Sequence, residues 1–291
     1  PFVRATATRT VGIDPTDSTA AFDALANQTV AVLVADNDTN GFVVSESSGS
    51  TAVSEAGTTD EITVVLTTQP QSDVVLNLAV DDSSEASLIG NSLTFTSSNW
   101  NVPQTASVLG VDDPTVDGNQ TTTLTISVNA LASDNAYDAV SNQTVTVTTV
   151  DDDVAGFHAT ISGANTLVTE SGSSDTFSIV LNAQPLTAVA IAVASDDTGE
   201  VRVDQTIANF TSANWNIPQT INLTGVNDND VDGNQQSSIV LRVIDSFSDN
   251  AFDTLPDQVV DVTTTDDDVA GITIAQTGGS TMVSELPTTD T

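Results

Sequence analysis

Carboxylates are the main chemistry this chain has to offer, and the densest are three in a row. Asp151-Asp152-Asp153 returns as Asp266-Asp267-Asp268, and a looser copy, Asp36-Asn37-Asp38, sits earlier. Adjacent carboxylates repel one another unless solvent or a cation offsets the charge. Other acids recur at one offset: Glu55 and Glu170, Asp60 and Asp175, Asp81-Asp82 and Asp196-Asp197, Glu85 and Glu200, Asp113 and Asp228, Asp117 and Asp232. Glu46, Glu61 and Asp73 do not recur and read as solvated surface. Converging carboxylates with no Lys or Arg among them suit a hard cation taking six to eight oxygen ligands, which is Ca²⁺; Mg²⁺ keeps more of its water and uses fewer carboxylates.

Competing chemistries fare worse. Asp228-Asn229-Asp230-Val231-Asp232-Gly233 opens like an EF-hand loop, but Ile239 stands where the closing Glu belongs and no helix flanks it. Paired carboxylates can cleave glycosides. Acids clustered where one unit gives way to the next, with no aromatic-lined cleft, read as ligands instead. Cysteine is absent and His158 is the single histidine, which removes Cys/His zinc sites and thiol chemistry. His158 does not repeat and reads as surface. No Ser-His-Asp set recurs and no glycine loop cradles a phosphate, so no catalytic residue is expected.

The spacing of the acids exposes the organisation of the chain. Gly41, Gly156 and Gly271 are 115 positions apart, and the whole sequence aligns on itself at that offset without a gap. Gln69-Pro70 falls on Gln184-Pro185, Trp100 on Trp215, Pro103 on Pro218, and Tyr137 on Phe252. Such self-similarity marks tandem units. The expected repeats are 41–155 and 156–270. Residues 1–40 read as the end of a preceding repeat and 271–291 as the start of a following one. The two ends together fall short of one repeat, so the expectation is a piece of a longer chain.

Within a repeat the apolar residues alternate. Ile62, Val64 and Leu66 match Phe177, Ile179 and Leu181; Leu124, Ile126 and Val128 match Ile239, Leu241 and Val243. Period two means half-buried strands, and Val and Thr favour them. Gly, Asn, Asp, Ser and Pro fill the gaps as turn chemistry. About seven strands per repeat are expected, near 51–54, 61–67, 73–80, 92–96, 104–111, 121–129 and 143–149. The fold class is all-β: tandem immunoglobulin-like antiparallel β-sandwiches, stacked end to end with almost no linker. If strands alternate in direction, Glu55, Asp81-Asp82, Asp112-Asp113, Asp117 and Asp151 to Asp153 gather at one pole of the sandwich. Asp134 and Asp138 belong at the other end. Trp100 and Trp215 are expected to cap the core, and Tyr137 and Phe252 to lie in it.

Composition sets the remaining limits. Forty acids against four arginines give a formal charge of −36 in 291 residues. No cationic surface exists to meet phosphate, which excludes nucleic acid as a partner. The same charge opposes an anionic membrane, and no apolar run is long enough to span one. Self-repulsion on this scale opposes compaction; bound divalent cation is one remedy and a salty environment the other.

Val53-Ser54-Glu55, the Asp112-Asp113 pair with Asp117 behind it, and the closing Asp151-Asp152-Asp153 resemble a Calx-beta domain. Phe210-Thr211-Ser212-Ala213-Asn214-Trp215-Asn216-Ile217-Pro218-Gln219-Thr220, with Gly225-Val226-Asn227-Asp228, is similar to Calx-beta-like repeats of large bacterial surface and adhesin proteins. The resemblance implies a sandwich binding several Ca²⁺ at one pole. Its implied ligands are Glu55, Asp112, Asp113, Asp117, Asp151, Asp152 and Asp153, with Asp81 or Asp82 beside them. In the second repeat they are Glu170, Asp228, Asp232, Asp266, Asp267 and Asp268, with Asp196 and Asp197 at the positions of Asp81 and Asp82. Asn227 replaces Asp112, which implies fewer or weaker ions there. Asp36 and Asp38 mark a site of the same kind in the preceding repeat.

The functional expectation is a structural, non-catalytic region of an extracellular or cell-surface fibre or adhesin stalk, stiffened by Ca²⁺. Its partners are neighbouring repeats and, for a filament, other copies. The alternatives are a glycan- or surface-binding module, which needs an exposed aromatic cluster, and a calcium sensor, which needs fewer copies. Six Asn-x-Ser/Thr sequons, at Asn27, Asn37, Asn119, Asn142, Asn209 and Asn222, would permit glycosylation in an exported chain.

Overall fold

The structure, a computed structural model, describes residues 3–35 and 37–279. The chain forms two compact units, one built on residues up to 112 together with 119–150, the other on 113–118 together with residues from 151 onward. Both are β-sandwiches.

The first unit opens with β1 (Val3–Val11) and β2 (Gln28–Ala35), an antiparallel pair forming a sheet of their own. Nine strands follow: β3 (Phe42–Glu46), β4 (Thr51–Ser54), β5 (Thr59–Leu66), β6 (Val74–Val80), β7 (Ala86–Ile89), β8 (Ser92–Phe95), β9 (Gln104–Gly110), β10 (Gln120–Val128) and β11 (Gln143–Val150). They make a four-stranded sheet in the order β3-β5-β9-β7 and a five-stranded sheet in the order β4-β11-β10-β6-β8. The second unit repeats the plan with β12 (Phe157–Ile161), β13 (Leu167–Thr169), β14 (Ser174–Leu181), β15 (Val189–Ser195), β16 (Val201–Val203), β17 (Ile207–Phe210), β18 (Gln219–Gly225), β19 (Gln235–Val243) and β20 (Gln258–Thr265). Its sheets run β12-β14-β18-β16 and β13-β20-β19-β15-β17.

Two expectations need correction here. Each repeat has nine strands, not seven, because two chain passes leave one sheet and join the other. Phe42–Glu46 and Ala86–Ile89 are the extra pieces. The sandwich is also not wholly antiparallel. β3 runs antiparallel to β5, the chain continues in the same direction into β4, and β4 lies beside β11, which runs that way too; the pairing is therefore parallel. β13 and β20 repeat this. The switch is pinned by an acid that sequence alone left open. Asp175 accepts from the Leu167 and Thr176 amides (2.9 and 2.7 Å) and from the Ser162 hydroxyl (2.6 Å). Asp60 does the same for Ala52, Glu61 and Ser47. Burial acts against the charge on Asp60, but these donors hold both carboxyls below their ordinary range.

Alternation does the rest. In β19, Ser237, Ile239, Leu241 and Val243 face inward and the residues between face out. Phe177, Ile179, Ile191, Phe210, Ile221, Leu241 and Phe252 form the second core, all at most 1% exposed. Burying each such side chain contributes about 1.5–3 kcal/mol. Trp100 and Trp215 are half-buried against their cores, and Tyr137 and Phe252 lie inside them. Asp134 accepts from the Gln71 amide (2.6 Å) and Asp249 from the Thr187 amide (2.8 Å), so this recurring pair anchors a loop. Glu46, read as plain surface, accepts from the Thr51 hydroxyl at 2.9 Å. His158 is exposed on β12.

Candidate metal centre

The strands of the second unit deliver acids to one end of the sandwich. β13 is parallel to β20, while β19 is antiparallel to both β15 and β20, so β13, β15 and β20 all finish at the same end. Glu170 directly follows β13, Asp196 and Asp197 follow β15, and Asp266 follows β20. β12 leads in the same direction into β13 and is, through β14, parallel to β18, so Asp228 arrives at that end as well.

Glu170, Asp228 and Asp268 come together there. Each offers a carboxylate oxygen, and the three oxygens lie within 4.8 Å of one another. Glu170 is 1% exposed; the Asp267 amide approaches its carboxylate, but no well-formed hydrogen bond satisfies either oxygen. Glu200 is 8% exposed with its Oε2 unpartnered, and Asp268 Oδ2 is likewise buried without a partner. A buried carboxylate left in this state is costly. Burial and then the carboxylates of Asp266 and Asp228 push the Glu170 carboxyl above its ordinary range. Burial, then Asp232 and Asp197, do the same to Glu200. Burial, then Asp266 and Asp267, raise Asp268. Oxygen donors of one charge, buried, convergent and unsatisfied fit a hard divalent cation, Ca²⁺ before Mg²⁺.

The surrounding backbone holds these groups in place. An extended chain turns alternate side chains to opposite sides, so Asp266 and Asp268 are half-buried and Asp267 is exposed. Asp266 accepts from the Gly233 amide and from the Asp268 amide, each at 2.7 Å. Gly233 sits at φ +76, where a side chain would be strained. Asp228 accepts from the Asp230 amide at 2.7 Å. β18 ends at Gly225, packed so closely that a Cβ there would lie 2.1 Å from the Thr169 carbonyl oxygen.

Other expected residues are placed differently. Asp196 and Asp197 are exposed and engaged locally, Asp196 by the Ser238 amide (2.7 Å) and Asp197 by the Gly199 amide (2.9 Å). Asp81 accepts from the Thr122 hydroxyl and the Thr123 amide, which hold its carboxyl down to about 2. Asp82 accepts from the Ser84 amide at 2.9 Å. Asp232 is exposed but near enough to raise Glu200. Glu55, in the first unit, is 2% exposed; in the second unit Asp151 and Asp153 are half-buried and Asp152 is exposed. Asp113 and Asp117 are half-buried on the stretch 113–118, which folds with the second unit: Thr115 bridges Gln184, and Val116 N donates to Gln184 O at 3.0 Å. Asp112 and Asn227 are both exposed, so their exchange falls on an outward position. Asp38 is exposed, and Asp36 lies outside the described residues. Glu85 and Glu200, both 8% exposed, are buried recurring acids outside the expected ligand set, and their recurrence at the repeat offset was the available signal.

No protein-family model matches the chain, and no curated protein matches its sequence. Solved structures are similar at low identity. CBD12 from CALX1.2 is 13% identical over 69% of this chain and 79% of its own, with a TM-score of 0.28. The calcium binding domain CBD12 of CALX1.1 is 14% identical over 69% of this chain and 80% of its own, with a TM-score of 0.28. Domains 4–9 of the surface layer protein SbsC are 16% identical over 83% of this chain and 34% of that chain, with a TM-score of 0.27. At such scores the β-sandwich rests on its own strand pairing. Among the described residues no helix is long and apolar enough to cross a membrane.

Proposed function

We propose that this chain is a calcium-stiffened structural region of an extracellular fibre or adhesin stalk, related to Calx-beta repeats and non-catalytic. Its building blocks are the repeats 41–155 and 156–270, with parts of further repeats at 1–40 and 271–291. The observation that carries the reading is Glu170, buried with no well-formed hydrogen bond to either carboxylate oxygen, beside Asp228 and Asp268. Glu170, Glu200, Asp228 and Asp268 would hold the ion, with Asp266 keeping the loop in place. An ion bound only by the folded state stabilises it by mass action, about 2.7 kcal/mol at a hundredfold excess over Kd. The glycan-binding alternative leaned on an aromatic cluster, and Tyr137 and Phe252, both in the core, leave it without support. All six sequon asparagines are exposed, in keeping with export, although the Asn222 side-chain amide donates to Asp204 at 2.6 Å.

Calorimetric titration of the full chain with CaCl₂ and MgCl₂ tests the site, alongside thermal unfolding in calcium and in chelator. Calcium binding with a raised midpoint, lost in Glu170→Gln, is expected. Identical unfolding in calcium and chelator would refute the metal reading.

A further inference from the structure

The second unit carries a partly uncovered sheet edge beside a groove. β20 pairs with β19 from Gln258 to Thr264, but β13 covers only Thr263, Thr264 and Thr265 on its other side. Thr263 N donates to Thr166 O, and Thr265 O accepts from Glu170 N, both at 3.1 Å. The odd-numbered residues of β20 therefore turn their backbone groups toward the β13 side. By the two-residue period Val259 and Asp261 do the same, beyond the reach of β13. An open groove of about 740 Å³ lies there, walled by Ala159, Ile161, Thr166, Leu167, Val259 and Asp261. Sheets normally guard an open edge with charged side chains, Pro or a bulge; the run 258–262 contains no Pro, and its single charge is Asp261.

A comparison of the repeats shows that the lining of this groove is particular to the second one. Thr166 is 5% exposed and its hydroxyl has no partner. The matching hydroxyl in the first repeat, on Thr51, donates to Glu46 at 2.9 Å. Ile161 stands at the position of Glu46, so the acceptor is replaced by an apolar wall. Val259 and Asp261 stand where the first repeat has Thr144 and Thr146. Val259, Ile161 and Leu167 are all substantially exposed, at 55%, 36% and 52%.

We propose that this groove takes an extended peptide segment of a partner protein as an added strand beside β20, its apolar side chains turned in against Ile161 and its basic ones set near Asp261. The backbone groups of Val259 and Asp261 supply the ladder, as in strand addition to open edges generally, and the Thr166 hydroxyl lies in the wall the incoming strand meets. Charge selects the occupant. The chain carries −36, and Arg242 is already committed to Asp257 at 2.6 Å. A second copy would bring the same large negative charge to this edge, whereas a basic segment is drawn in.

The probe is a blocked nine-residue peptide of alternating valine and lysine, titrated into the ¹⁵N-labelled full chain. Amide shifts centred on Val259, Asp261 and Leu167 are expected. Affinity should fall at least tenfold for the same peptide N-methylated at alternate residues, and for Val259→Pro, which removes an amide that β19 does not use. The methylated peptide keeps the test decisive if that variant folds poorly. Three results would overturn the proposal: no shifts; shifts spread over the acidic surface that vanish in about 0.5 M salt, which marks non-specific ion pairing; or self-association of the chain through this edge.

Discussion

Gly225→Ala should damage both the fold and the candidate metal site of the second unit, through one contact. The new Cβ would lie 2.1 Å from Thr169 O, 2.8 Å from Thr169 C and 3.2 Å from Thr169 N, against ordinary contact from 3.4 Å. The two segments must therefore part by about 1.3 Å. The obstacle is backbone, paired with β20 through Thr169 and Thr265, so no side chain can swing aside. Overpacking of this kind costs about 1–3 kcal/mol, and a backbone obstacle places it near 3. Thr169 immediately precedes Glu170, and Thr265 immediately precedes Asp266. A shift above 1 Å there disperses carboxylate oxygens that now lie within 4.8 Å of one another. Urea unfolding in calcium and in chelator, with calorimetric titration, reads both effects. The expected result is a lowered midpoint for the second unit and at least a tenfold loss of calcium affinity. Gly233→Ala is the control: its φ is +76 with open space around it, so strain of about 1–2 kcal/mol is expected without a clash. A Gly225→Ala chain with wild-type stability and calcium affinity would refute the close-approach argument. Gly110→Ala, facing Ser54 O at 2.1 Å, repeats the test in the first unit.

Glu170→Gln should raise the unfolding midpoint in chelator, because it removes one of several crowded buried charges, and should abolish most of the rise that calcium produces; a variant equal to wild type in both media would contradict the cluster. The pH dependence has a defined sign. Glu170, Glu200 and Asp268 are raised in the metal-free fold, which then binds more protons than the unfolded chain between the ordinary carboxylate range and the raised values. Metal-free stability should fall as pH rises through that window, while calcium affinity falls as pH drops through it, since protons compete for the same oxygens. Asp81 acts oppositely: its contribution is present above 3.8 and is lost as pH falls through about 2. Chelator and calcium melts between about pH 4 and 7 check this, and a calcium affinity independent of pH would count against it. Tyr137→Phe should cost about 1–2 kcal/mol, because the Tyr137 hydroxyl bonds the Thr68 carbonyl (2.6 Å) and hydroxyl (2.7 Å) in the core. The second repeat uses Phe252 with Ala183 at these positions, so adding Thr68→Ala should recover part of the loss; strict additivity in the double-mutant cycle would deny the coupling.

The sequence by itself determined the β class, the 115-residue repeat and the acids that recur with it. Alternation of apolar residues is a local property, and an ungapped offset needs no structure to be seen. It did not show which recurring acids are tied into the backbone and which are left buried without such ties. Asp60 and Asp175 pin a strand switch, Asp134 and Asp249 anchor a loop, and Asp196 and Asp197 are engaged by nearby amides, yet all repeat as faithfully as Glu170. Glu200 was visible as a recurring acid and still fell outside the expected ligands, because its burial comes from packing between β15 and β16. The strand count failed for a related reason. A chain pass that changes sheet midway keeps its alternation, so only hydrogen-bond partners reveal that β12 and β13 belong to different sheets. The triplet Asp266-Asp267-Asp268 shows the division most plainly: its composition announced crowded charge, but which two carboxylates turn inward was decided by the extended backbone beyond β20 and the Gly233 amide that holds it.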